Sequence, residues 1–460
     1  MMTNVERVLL DLEGCDPDAF PPGLDRLDGR LAEATLKDMA DHFALVLRAL
    51  GRAAPHGAPA GYRETGADTL FGHVRFLCAY YAPAPVKDTR QARRACARAA
   101  SKAKRRKKGG NFSRGGGADA AFPLKAALSL LDGMTPALAD RLQRAAVLAG
   151  SFAEGAALVE RFSGVRMSAS TFRRRALAAG ARALAAQESP AAWLPEPLLP
   201  LWLQAATSPA LPTLYITLDG TGVPCVKADL EGVKGKGPDG KAGTREVKVG
   251  VVGTYRRLDK RGRPVRDPGC ESHIVSPKTA SEFGTLLRRL ALSRGLGSGR
   301  FRIQVIGDGA DWIANIVRDA FPGADVIFAN DFYHACSHLR DFLALAAPEP
   351  DAAKAFRIAR AVLRRHGGES LLKHLRKRFE QLPPDHPAWE ELDYFELRVE
   401  HMRYGQYRKQ GLFIGSGIVE AACRTDVARR CKQSGMHWRL LNAAAICALT
   451  ARFRSRLPAA

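Results

Sequence analysis

Two apolar runs in this sequence end in the same pair of residues. LYITLDG closes on Asp219-Gly220 and FRIQVIGDG on Asp308-Gly309. An aspartate at the carboxyl end of a buried strand sits where open α/β sheets gather their ligands. A glycine beside it permits a sharp exit and a close approach of backbone to ligand. On neighbouring strands the two carboxylates would repel, so they must either share a proton or hold hard cations. A third acid would complete a site for two metal ions ~3.5–4 Å apart, which activate an attacking oxygen and stabilise a leaving one. Glu420 is the candidate, one turn inside a helix that Ser416 can cap. Taken singly, each residue has an ordinary explanation: Asp-Gly is a common turn, and Glu420 with Arg424 at i, i+4 is a routine surface pair. The three together on one α/β topology favour the site.

The elements that must position these acids are legible from residue 211 onward. LYITLD, REVKVGVVGTYRRL, CESHIVS, FRIQVIGD and ADVIFAN read as strands, the first two separated by the Gly/Lys-rich loop GVKGKGPDGKAG. TASEFGTLLRRLALSRGLG reads as an amphipathic helix with Thr279 or Ser281 as cap and glycine at its end. ADWIANIVRDAFPG, DFYHACSHLRDFLALA and GSGIVEAACRTDVARRCKQSG are further helices, and residues 340–410 are mostly helical. Strands followed by strand–helix alternation give an α/β fold with a mixed sheet flanked by helices. Upstream, residues 1–85 look helical, with an apolar face of Leu36, Met39, Phe43 and Leu47, and TLFGHVRFLCAYYAP alternates like a short strand or hairpin. Residues 120–190 are helical again. There, one helix ends near Phe162, Ser163-Gly164 makes a turn, and a second helix begins after Ser168 or Ser170, in the manner of a helix-turn-helix.

Charge narrows the partners. The 460 residues carry 70 Lys and Arg against 47 Asp and Glu, a formal net charge of +23. That excess calls for nucleic acid, an anionic membrane surface or an acidic protein, and argues against a small neutral molecule as the only ligand. The densest run is Arg93, Arg94, Arg98, Lys102, Lys104, Arg105, Arg106, Lys107 and Lys108, with no acid among them. Arg173, Arg174 and Arg175 on the second helix, and Lys234, Lys236 and Lys241 in the glycine-rich loop, are the other phosphate-binding candidates. The uncharged stretch Pro197–Leu218 is long enough to span a bilayer but contains Pro197, Pro200, Pro209 and Pro212, so it reads as a linker running into a buried strand. Nine scattered cysteines without a CxxC pair, and an N-terminus without an apolar signal core, lead us to expect a reducing intracellular location and no membrane. At about 150 residues per domain the length allows roughly three.

The motifs LYITLDGTGVP, TREVKVGVV, IGDGADWI, NDFYHACSHL and GSGIVEAACRTDVARRCKQSGMHW, in that order and spacing, resemble the DDE transposases of bacterial insertion sequences, most closely the ISKra family of the Mutator-like superfamily. The likeness covers about residues 120–455, with a weaker match around TLFGHVRF. It implies an RNase H-like core over 211–339 and 412–456, interrupted by an all-α insertion at 340–411. A helix-turn-helix-like DNA-binding domain would occupy 119–195, and a helical region with the basic arm 1–118. The implied activity is metal-dependent cleavage at transposon ends, then transfer of the 3′-OH into target DNA. Asp219, Asp308 and Glu420 match the catalytic, metal-binding positions, with Mg²⁺ as cofactor and Mn²⁺ as its substitute. The implied partners are double-stranded DNA (terminal inverted repeats and target), bound by at least a homodimer in a bacterial cytoplasm. A rival from another class is a non-catalytic DNA-binding regulator derived from such an enzyme.

The superfamily also carries a Cys-or-Asp, two residues, then His signature, matched by Asp331 and His334. Asp331 is a natural N-cap with His334 at N3, so we expect support near the site, with DNA contact as a further role and metal ligation by Asp331 a lesser one. His334 and His338 are spaced for a metal pair but show no third ligand in the sequence. Asp311 and Asp426, close in sequence to proposed ligands, are the acids that could replace them. The basic-aromatic patches RKRF and HMRYGQYRKQ are expected to hold DNA, and Trp438 to pack the closing helix on the sheet. The chain departs from its relatives near residue 75, where a zinc-ribbon-like spacing is replaced by Cys78 and Cys96 in a basic arm, so zinc is not carried over.

Overall fold

The computed structural model describes residues 24–52, 61–80, 131–188, 212–235, 242–255, 257–258, 264–265, 271–299, 301–322, 325–347 and 351–455. The basic arm at 93–108, Lys236, Lys241 and most of the stretch at 197–218 lie outside them. The chain divides into two compact units, Met1–Arg175 and Ala176–Ala460.

In the first unit, helix α1 (Leu24–Arg52) lies on an antiparallel hairpin of β1 (Gly61–Thr69) and β2 (Gly72–Tyr80). The hairpin sequence alternates as a half-buried pair must, and Val74, Phe76 and Cys78 face Leu47 in one small core. Of the expected helical face, Leu47 is buried and Leu36 and Phe43 half-buried, but Met39 is exposed. Helices α2 (Pro136–Leu148), α3 (Phe152–Ser163) and α4 (Ala169–Glu188) follow, α4 running on into the second unit. Ser151 caps α3 by accepting from the Glu154 amide (3.1 Å), and Gly164 ends it at φ +67°, where a side chain would be strained. Ser168 caps α4 through the Thr171 amide (3.2 Å), and Phe172, fully buried, packs against Gly155.

The second unit is mixed α/β. An open five-stranded sheet is formed by β3 (Thr213–Pro224), β4 (Thr244–Tyr255), β7 (Glu271–Ser276), β8 (Arg302–Gly307) and β9 (Val326–Asn330), in the order β7-β4-β3-β8-β9. The short pair β5 (Arg257–Leu258) and β6 (Pro264–Val265) lies outside it. Strands β3, β8 and β9 are parallel, and β4 is antiparallel to its neighbours β3 and β7. Alternation along β3 splits the core. Leu214, Ile216 and Leu218 join Phe283, Leu287, Ile313 and Ile316 from α5 (Ala280–Ser293) and α6 (Asp311–Ala320) on one face. Tyr215, with Tyr255 and Ile306, faces a second core built by α7 (Phe332–Ala346), α8 (Asp351–His366), α9 (Gly368–Arg378), α10 (Glu390–Glu396) and α11 (Tyr404–Lys409). Helix α12 (Gly417–Ala422) continues through a π-helical segment, Cys423–Ala428, and α13 (Leu440–Arg454) lies against β7. Thr279 caps α5 in a full capping box with Glu282. Among the described residues no helix is long and apolar enough to cross a membrane.

Two expectations fail here. Residues 61–69, within the stretch expected to be helical, form strand β1. The first apolar run does not end at Asp219-Gly220: β3 continues to Pro224, pairing with β4 all the way. Only its parallel partner leaves early, the last β3–β8 pair being Thr217 with Ile306. Gly220 therefore has no positive φ, whereas Gly309, at φ +90°, does make the turn the sequence suggested.

Candidate active site

Carrying the β3–β8 register two residues beyond Thr217 and Ile306 brings Asp219 alongside Asp308. Asp219 shares the face of Tyr215 and Thr217, because side chains alternate along a strand. It stands where β8 has turned away and the sheet opens. Its Oδ1 accepts from the Gly220 amide (2.7 Å), and the Cys423 thiol donates to Oδ2 at 3.6 Å. Asp308 accepts from the Ala310 amide on Oδ1 (2.9 Å), fixed by the Gly309 turn at the start of α6. Glu420, exposed on α12, accepts from the Ser416 hydroxyl at 3.0 Å.

Ser416 thus serves Glu420 rather than capping the helix, since its side chain makes no cap hydrogen bond. Nor does Glu420 form the i, i+4 ion pair with Arg424 among the described residues. Burial raises the Asp219 carboxyl above the ordinary carboxylate range; the Gly220 amide opposes this, and the charges of Asp308 and Glu420 add to it. Burial and the same carboxylate push the Cys423 thiol well up, so it remains a protonated donor.

Asp331 is buried and uses both carboxylate oxygens on backbone amides. Oδ1 accepts from His334 N (2.6 Å), capping α7, and Oδ2 accepts a short hydrogen bond from Ser416 N. Phe332 N donates to the Ile414 carbonyl (2.8 Å). Asp331 therefore ties the start of α7 to the loop that launches Glu420. His334 is exposed, with its ring 5.9 Å from that of Tyr394.

His338 does have acidic company that the sequence hid. Among the described residues, the group of three metal-capable side chains whose ligand atoms all lie within 4.8 Å of one another is His338, Asp341 and Glu391. Asp219, Asp308 and Glu420 are spaced more widely than that.

The two feared substitutes are engaged elsewhere. Asp311 has a side chain 94% exposed and accepts from Arg398 Nη2 at 3.2 Å. Asp426 is completely buried, where His273 Nδ1 donates to its Oδ2 (2.7 Å) and the Thr425 hydroxyl to its Oδ1 (2.9 Å). Of the basic candidates, Arg173, Arg174 and Lys234 are exposed. Arg175 is turned inward, 12% exposed, and ion-paired with Asp68 at 2.8 Å. In the basic-aromatic patches the cations Arg376, Lys377, Arg378, Arg403, Arg408 and Lys409 are exposed, but Phe379, Tyr404 and Tyr407 are buried in the second core. Their rings are packing groups and not free for bases to stack on. Trp438 is buried as expected, its backbone bridged to Cys225 and its ring under Arg430.

Sequence reading missed Cys423, Tyr394, Arg398 and Asn330. The only local signal was the aromatic–arginine i, i+4 spacing of Tyr394 and Arg398. No protein-family model matches the chain, and no curated protein matches it.

Proposed function

We propose that the chain is a DDE transposase of the insertion-sequence class that its motifs resemble, with an RNase H-like core and an all-α insertion over 340–411. One observation carries this reading. Asp219, Asp308 and Glu420, drawn from three separate elements, converge, and none is ion-paired among the described residues. Acids gathered against their own repulsion on a chain of charge +23 call for an external cation. The five-stranded mixed sheet, with Asp219 inside β3 just past its last pair with β8 and Asp308 just past the end of β8, is compatible with the proposed core.

The donor set fits Mg²⁺ or Mn²⁺: three hard carboxylates, and the soft Cys423 sulfur held protonated. Asp219, Asp308 and Glu420 are the residues that would hold the metal. Bound metal supplies Lewis acidity and a more acidic water for attack on a phosphodiester. The protein's own part is orientation. The Gly220 amide, the Ala310 amide and the Ser416 hydroxyl each fix one oxygen of Asp219, Asp308 and Glu420. Asp331 holds the loop from which Glu420 projects. Because in-line displacement by water and then by the freed 3′-OH needs no covalent protein intermediate, no serine or tyrosine nucleophile is required. The exposed Arg173, Arg174 and Lys234 would meet DNA phosphates, and two element ends would be held by at least a dimer.

The test is Mg²⁺- or Mn²⁺-dependent cleavage of a duplex carrying the element's terminal repeats. Wild type should cut it and Asp308→Asn should not, while both bind it. Equal behaviour of the two proteins would leave only a DNA-binding role.

A further inference from the structure

The turn that carries Asp308 is held from outside its own sheet. Between the end of β8 at Gly307 and the first helical acceptor, Ala310, two carbonyls are left over, those of Asp308 and Gly309. Both are taken by side chains far along the chain. The Tyr394 hydroxyl donates to the Asp308 carbonyl at 3.0 Å across 86 residues, and Arg398 Nε donates to the Gly309 carbonyl at 2.6 Å. The same guanidinium reaches Asp311 (3.2 Å) and the Tyr394 carbonyl (3.4 Å), and it lies 4.8 Å over the Tyr394 ring. The His338 ring also stacks on that of Tyr394, with centroids 3.9 Å apart.

Fit beneath the turn is close. A Cβ on Gly309 would come within 2.9 Å of Arg398 Cδ and 3.0 Å of the buried Asn330 amide nitrogen. The Arg398 side chain is only 18% exposed, so it is not a surface cation free to roam.

We infer that Tyr394 and Arg398 are positioning residues for Asp308. The helical segment between β9 and Glu420 then sets the geometry of the acids, and is not merely an appendage that holds substrate. What Asp308 does rests on the transposase reading; how its turn is held does not. An ångström of misplacement at a reacting centre can cost on the order of a hundredfold in rate. A lost guanidinium fork should therefore register in the chemistry before it registers in folding.

The experiment uses the full chain with Tyr394→Phe, Arg398→Lys and, as a control on the same segment, Leu397→Ala, whose side chain is exposed. Single-turnover Mg²⁺-dependent cleavage, duplex affinity and hydrogen exchange of the 305–312 peptide are measured together. We expect Tyr394→Phe to slow cleavage about tenfold and Arg398→Lys up to about a hundredfold. Duplex affinity should stay within about twofold, exchange should quicken at the turn but not in β3, and Leu397→Ala should match wild type. Unchanged cleavage in both variants overturns the inference. So does a rate loss that follows duplex affinity, which would make Arg398 a DNA contact, or one accompanied by faster exchange throughout the sheet. If wild type cuts nothing, the transposase reading fails by itself. Exchange at the turn then decides whether Tyr394 and Arg398 hold it, unchanged exchange counting against them.

Discussion

Two acids six residues apart, Glu420 and Asp426, live under opposite rules. Asp426 is fully buried and every neighbour answers its charge: His273 Nδ1 at 2.7 Å, the Thr425 hydroxyl at 2.9 Å, and Arg454 Nε at 3.9 Å. Glu271, on the same strand as His273, lies 3.6 Å from its Nε2 and accepts a short hydrogen bond from the Tyr255 hydroxyl. Glu420, with Asp219 and Asp308, has like charges for company instead. Burial of a charge is tolerated only when it is paired and hydrogen-bonded, and the Asp426 cluster obeys that requirement. The Glu420 cluster escapes it by staying partly open, which stability alone does not explain. One constellation balances its charge within the protein, and the other, under the proposed function, would be balanced by a bound cation.

Breaking each cluster should fail in a different currency. Asp308→Asn or Glu420→Gln should reduce metal-dependent cleavage by at least about a thousandfold, the rate equivalent of several kcal/mol, with little change in unfolding midpoint; an active variant would remove that acid from the site. Asp426→Ala should cost about 3–5 kcal/mol of stability by denaturant titration, because it strands His273 and Glu271. A loss below 1 kcal/mol would mean the buried cluster is not an interlocked unit.

Smaller effects sharpen the contrast. The Asp219 carboxyl is raised in the fold, chiefly by burial, so its charged form costs stability at neutral pH; Asp219→Asn should raise the unfolding midpoint in chelator-treated buffer while abolishing cleavage. A lower midpoint would show that the carboxylate is structural.

His273 is pulled down by burial but lifted further by Asp426 and Glu271, for a net rise. Its contribution to stability is therefore complete below about pH 6.5 and fades as pH climbs through the raised value. Thermal midpoints should decline over that climb, and His273→Gln should flatten the decline. A parallel slope in the variant would assign the pH dependence to another group.

Much of the frame was legible because it depends on local pattern. The capping box at Thr279, the cap at Asp331 and the apolar strands FRIQVIG and VIFAN are set by neighbours within a few residues. So was the candidacy of Asp219, Asp308 and Glu420. The end of β3 was not, because Gly220 looks the same in a turn as in a strand whose antiparallel partner continues beside it. The tyrosines of HMRYGQYRKQ read as a nucleic-acid surface, since only the tertiary fold decides which side of a short helix is covered. Tyr394 and Arg398 could not be linked to Asp308 from sequence, as hydrogen bonds spanning more than eighty residues leave no period to detect.

The π-helical segment at 423–428 has a consequence for insertions and deletions. Glu420 leaves the helix toward Asp219 just before it, and Asp426 inside it points to His273. An α-helix advances about 100° per residue, and a π-bulge is in effect one residue too many for that phase. Removing one residue there would restore a regular helix with its flanks still in phase, whereas adding one would swing Asp426 round by roughly that angle and away from His273. The stretch that joins the open cluster to the closed one therefore has room to lose a residue but none to gain another.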